Sequence, residues 1–134
     1  MRNTEEILHQ AALTLSFSRP VAVMMLGVLG QVPDSATPRA VVARLLIALP
    51  PGSYLALSDC TSTSSALDQA ITAYNQIAAS SYHLRSPGQI ACFLDGLTLL
   101  PPGVVTLSLW RPEVADISGG PRAADTIFGV GRKH

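Results

Sequence analysis

Between Pro20 and Gly30 the chain reads PVAVMMLGVLG, and Gln31 is the first side chain after Arg19 that wants water. An apolar run of this length with no wet face reads as a strand in the middle of a sheet covered on both sides, usually a parallel one. Its downstream end carries Gly27, Gly30, Gln31 and Pro33-Asp34. Small and polar residues there mark the carboxyl end of a parallel strand, the place where open α/β sheets bind ligands.

The rest of the pattern alternates helices and strands. Asn3 followed by Glu6 resembles a capping box, and Ile7, Leu8, Ala11 and Ala12 predict a short helix to about Leu13. Thr37 and Pro38 read as an N-cap and first helical residue, with Val41, Val42, Leu45, Leu46 and Leu49 on one face and Pro50-Pro51-Gly52 as the stop. SYLALS, residues 53–58, is the next strand, so strand, helix and strand make a right-handed βαβ unit. Ser62 to Ser65 form a polar linker able to cap a helix over Ala66–Ala79, with Leu67, Ile71, Tyr74, Ile77 and Ala78 at helical spacing. A short helix opens at Ser86 with Pro87 and Gln89 in a second capping box and closes at Asp95-Gly96. LTLL, the Pro101–Gly103 turn and VVTLSLW read as extended chain, Asp116–Ala124 as a loop, and TIFGVG, residues 126–131, as a last strand.

A chain of 134 residues makes one domain, residues 1–134, large enough to bury roughly two-thirds of its unfolded surface. Nine basic and nine acidic residues cancel, so the field offers no reason for binding nucleic acid or an anionic membrane. Low charge and high apolar content favour self-association. Cys60 and Cys92 stand in separate segments and read as buried small hydrophobes. Glu5, Glu6 and Arg19 spoil a signal peptide, and the apolar run is too short for a bilayer core that needs about 20 residues, so a cytoplasmic protein is expected.

Chemical motifs are sparse. No glycine-rich phosphate loop stands between an early strand and a helix, and Gly129-Val130-Gly131 reads as a strand that tolerates glycine. His9, His83 and His134 are scattered, with no metal-ligand spacing, and no catalytic residue is assigned. Ser58-Asp59 is the one polar pair at the end of a central strand, open between a turn cap and a site. Gly27 and Gly30 are open between packing and a ligand edge, since glycine in a strand marks close approach. Trp110 reads as a half-buried rim residue.

RPVAVMMLGVLGQVPD, LLIALPPGSYLALSD, SPGQIACFLDGLTLLPPGVV, LWRPE and FGVGRK, taken in order, resemble the carboxyl-terminal half of a family of S-adenosylmethionine-dependent methyltransferases common in actinomycetes. The resemblance runs from about Thr4 to Lys133. It implies an α/β fold, a partial Rossmann-like methyltransferase sheet of strands 4, 5, 6 and 7 with flanking helices and an antiparallel last strand. PVAVMMLGV would be strand 4, SYLALS strand 5, LTLLPPGVVTL strand 6 and TIFGVG strand 7. Strands 1 to 3, with the GxG loop and ribose-binding acid, have no counterpart in these residues.

On that likeness S-adenosylmethionine is the implied cofactor, with Gly27, Leu29 and Gly30 at its edge and Gln31, Ser58 and Asp59 toward the acceptor. Similar proteins carry a histidine where this chain has Gly30, and another where it has Asp59. The expectation is a truncated methyltransferase, inactive alone unless another chain completes it. The alternative is a non-catalytic binding or assembly module, or a degenerate remnant, that self-associates through residues 20–32. A homo-oligomer or a complementary N-terminal half is the expected partner, with neither nucleic acid nor membrane.

Overall fold

The computed structural model describes residues 3–32, 36–112 and 124–134. The expected loop over Asp116–Ala124 and the Pro33-Asp34 pair fall wholly or almost wholly outside them. Helix α1 (Thr4–Ala12) starts where the Asn3 side chain accepts from the Glu6 N–H at 3.1 Å. The Glu6 carboxylate turns forward to Gln10, so the expected box is half made. Helix α2 (Ala36–Ala48) already includes Thr37 and starts two residues earlier than an N-cap there would allow. Ser64 caps α3 (Ser65–Ile77), and Ser86 with Gln89 completes both bonds of a capping box on α4 (Pro87–Ala91).

The sheet is mixed. Strands β1 (Ala22–Leu26) and β2 (Tyr54–Cys60) run parallel, with Met24 beside Ala56. Strand β5 (Thr126–Arg132) lies antiparallel against β2, Val130 opposite Ala56, and its other edge takes β3 (Thr98–Leu99) and β4 (Val105–Thr106). The order β1-β2-β5-β3 is the 4-5-7-6 order with a reversed seventh strand. The expected sixth strand is two short pieces, because the Pro101–Gly103 turn interrupts it and Leu107–Leu109 winds into a 3-10 turn.

Alternation sorts the sheet into two faces. Met25, Leu55, Leu57 and Ile127 point to the core, where α2 contributes Val41, Val42 and Leu45. Ile90 of α4 and Phe93 and Leu94 of the turn after it close that layer. Gly129 and Gly131 are required here: an added Cβ would stand 2.8 Å from Leu94 Cδ1 at the first and 2.7 Å from Leu97 Cβ at the second. Glycine lets these leucines rest on the strand, a stronger role than tolerance.

The opposite face is covered unevenly. Trp110 is half-buried and meets Phe128 edge-on, with ring centroids 4.7 Å apart. Ala22, Met24 and Leu26 of β1 are exposed, Met24 at 66% and Leu26 at 51%. The expectation of a strand covered on both sides is corrected, because nothing among the described residues lies over this face or beyond the outer edge of β1. Cys92 is exposed and Cys60 partly so, against the expectation that both are buried. At the chain end Lys133 donates through Nζ to the Leu46 and Leu49 carbonyls, each at 2.6 Å, and so caps the carboxyl end of α2.

Candidate functional site

Parallel strands β1 and β2 end side by side, and the Gly27 N–H donates to the Ser58 carbonyl at 2.9 Å. Gly27 has φ +68°, a left-handed turn out of the strand, with no atom within 4 Å of where a Cβ would be. The chain then makes a 3-10 turn over Leu29–Gln31. Leu29 is fully buried in the core and Gln31 is exposed.

Gly30 faces an aromatic ring. A Cβ at this position would overlap three carbons of Tyr82, so the tyrosine fills the volume that any larger residue would claim. Its backbone is held on both sides: the Asn75 amide takes the Tyr82 N–H at 2.7 Å and returns a bond to the Tyr82 carbonyl at 2.8 Å. The next residue, His83, donates its N–H to the Gly30 carbonyl at 2.7 Å. A loop of SSYHLRS thereby becomes a fixed wall over the end of β1.

The Tyr82 hydroxyl donates to Asp59 Oδ1 in a short hydrogen bond. The Cys60 N–H also donates to Oδ1, at 3.0 Å. Asp59 is only 2% exposed, and its second oxygen, Oδ2, is buried with no hydrogen-bonding partner among the described residues. Burial, then the hydrogen bond to Asp59 and the charge on that carboxylate, push the Tyr82 phenol well above the ordinary phenol range. The hydrogen bond ties the Tyr82 ring to β2 at the ends of β1 and β2, with the phenol held neutral.

Arg85 closes the same end. It is 5% exposed, donates to the Leu29 carbonyl at 2.8 Å and the Val32 carbonyl at 2.5 Å, and lies 5.8 Å over the Phe93 ring. These two carbonyls belong to the turn that follows β1, so one guanidinium fork fixes its shape.

The sequence-predicted residues are therefore partly brought together. Gly30 and Asp59 meet through Tyr82, and Gly27 adjoins Ser58. Ser58 and Asp59, neighbours in a strand, face opposite sides of the sheet and do not act as a pair. Asp59 lies within β2 and not in a turn. Tyr82 and Arg85 escaped the sequence reading, since nothing in SSYHLRS marks either as buried; the signal, weakly present, was a glycine with room for an aromatic residue above it.

The S-adenosyl methyltransferase family profile matches residues 1–134, the whole chain. The chain belongs to that family. Among curated protein sequences none matches it. A DUF574 family protein from Streptomyces avermitilis is 30% identical with a TM-score of 0.87, over 98% of this chain and 52% of that one. A methyltransferase, so described only provisionally, from Thermobifida fusca is 28% identical with a TM-score of 0.85, over 98% and 51%. A SAM-dependent methyltransferase from Methanosarcina mazei, at 12% identity and a TM-score of 0.56 over 84% and 58%, shares the fold. The chain spans about half the length of its first two relatives.

The family uses S-adenosylmethionine, and the described residues can be tested for fit to it. Leu29 points into the core, the face of Gly30 is filled by Tyr82, and Gly27 alone of the three looks onto open space. These residues do not by themselves make a cradle for the cofactor. Among the described residues no helix is long and apolar enough to cross a membrane.

Proposed function

We propose that these residues are the acceptor-side half of an S-adenosylmethionine-dependent methyltransferase, inactive alone and completed by a cofactor-holding half. The carrying observation is the family match over the whole chain together with the coverage of only 52% of the Streptomyces avermitilis relative. Gly27 and the backbone of Leu29 and Gly30 stand at the cofactor edge. Gln31, Ser58 and Asp59 stand toward the acceptor, with Tyr82 added to them by contact with Asp59. Methyl transfer depends chiefly on aligning two reactants, so a half-site that fixes one of them has a defined part to play. The reading places the protein in the cytoplasm, where free cysteines such as Cys60 and Cys92 stay reduced.

Calorimetric titration with S-adenosylmethionine tests it. Residues 1–134 alone should give no binding heat. The same residues joined behind the unmatched half of the Streptomyces avermitilis protein should bind in the micromolar range. Tight binding by the isolated chain would refute incompleteness, and none in the joined protein would refute the methyltransferase reading.

The bare outer edge of β1 supports a second reading, a non-catalytic module that self-associates through residues 20–32. It requires a dimer or larger species by light scattering at tens of micromolar, and a monomer there removes it.

A further inference from the structure

Residues 62–84 leave the sheet at the end of β2 and return to the same place. Thr61 and Arg85 pair as a parallel bridge, and Ser62 donates its N–H to the Arg85 carbonyl at 2.9 Å. Both sides of this neck are anchored. Thr61 is 2% exposed and donates its N–H to the Asp125 carbonyl at 2.8 Å, while Arg85 clips the turn after β1. Among the described residues the hydrogen bonds that leave residues 62–84 gather at two places. One is the neck, where the Thr61 and Thr63 hydroxyls also meet at 2.7 Å. The other is Tyr82-His83: the Tyr82 hydroxyl bonds Asp59 and receives the Cys60 N–H at 3.5 Å, and the His83 N–H reaches the Gly30 carbonyl at 2.7 Å. Within the segment Asn75 of α3 holds the Tyr82 backbone on both sides, which couples helix and turn.

We infer that residues 62–84 are a lid over the carboxyl ends of β1 and β2, hinged at the Thr61–Arg85 neck and latched by Tyr82. In the closed position the Tyr82 ring fills the face of Gly30 and its hydroxyl occupies Asp59 Oδ1. One side chain blocks both residues, so releasing it uncovers both together. A segment fixed at a neck and by a few bonds elsewhere opens at lower cost than the sheet unfolds. Lids of this kind admit a reactant and then shut water out while the reacting groups are aligned. That the lid covers an acceptor site rests on the reading of Asp59 given above. Its motion is measured with no ligand present, so the two fail separately.

Two neighbouring amides report on it. The Tyr82 N–H bonds to Asn75, inside the lid, and the His83 N–H bonds to Gly30, across the gap, each at 2.7 Å. A lid that swings as a unit breaks the second bond and keeps the first. Amide hydrogen exchange of residues 1–134 in increasing urea should therefore show His83 exchanging about tenfold or more faster than Tyr82 and than Ser62 at the neck. The His83 rate should depend little on urea, because lid opening exposes little surface, whereas amides of the β2–β5 ladder should follow the steep dependence of global unfolding. Tyr82→Phe leaves the ring in its seat and removes the bond to Asp59, so His83 exchange should speed up by about tenfold or more. Equal rates at Tyr82 and His83 would mean that the turn frays by itself, and a His83 rate as steep in urea as the ladder would mean that nothing opens separately; either overturns the lid. No acceleration in Tyr82→Phe overturns the latch, and the exchange of the unsubstituted chain decides the lid even where that variant does not fold.

Discussion

Replacing Gly30 with alanine places one methyl group inside the Tyr82 ring, so the ring must shift, and a shift strains its hydrogen bond to Asp59. The gain from a stiffer unfolded chain is small, about 0.4–1 kcal/mol. Against it stand overpacking, about 1–3 kcal/mol, and the loss of a hydrogen bond to a charged group, about 1.5–3 kcal/mol. Among the described residues Asp59 would be left with the Cys60 N–H as its one donor, deep in the protein. The net expectation is a destabilisation of about 2–4 kcal/mol. Trp110, the single tryptophan, packs on Phe128 and supplies a fluorescence signal for urea unfolding. With a slope near 2 kcal/mol/M the midpoint should fall by about 1–2 M. The decisive comparison is a double-mutant cycle with Tyr82→Ala: once the ring is gone, alanine at position 30 should cost almost nothing, giving a coupling of about 2 kcal/mol. Additive losses, or a Gly30→Ala midpoint equal to that of the native chain, would refute the cradle and with it the assignment of Tyr82 to this site.

The remaining expectations concern the same end of the sheet and the chain terminus. Tyr82 keeps its proton in the folded state past the value near 10 at which an unfolded tyrosine loses it. Its contribution is thus whole below that pH and is lost as the pH rises beyond it, because only the unfolded chain then releases a proton. The urea midpoint should fall on going from about pH 8.5 to about pH 10.5, and fall less in Tyr82→Phe. Arg85→Met removes both bonds to the turn after β1 and should cost about 3 kcal/mol, with Arg85→Lys recovering part of it; a neutral Arg85→Met in urea unfolding would contradict the clip. Lys133→Ala frees two carbonyls at the end of α2, and a drop of about 1–2 kcal/mol in the same assay is expected, with faster amide exchange in the last turn of α2 as its local sign.

Much of the fold is legible in local pattern. Two capping signals, a helical stripe through Val41, Val42, Leu45 and Leu49, and the strand of Leu55 and Leu57 are statements about neighbouring residues, and neighbours decide them. The order of strands was accessible because a parallel βαβ unit has one favoured hand and because the motif order resembles a known sheet. Solvent exposure was not. Ala22, Met24 and Leu26 have the composition of a central strand, but whether such a strand is wet depends on what lies beside it, and that is a property of the assembled sheet. The pairing of Gly30 with Tyr82 is of the same kind, since residues 52 positions apart meet only when α3 and the loop after it return to the end of β1. The sequence by itself determined which segments are helix and strand and that a glycine stands at the end of β1. Tertiary structure alone decided that a tyrosine fills the place beside it, that Asp59 is buried with one oxygen unmatched, and that one edge is bare, because burial and partnership are set by distance in space and not along the chain.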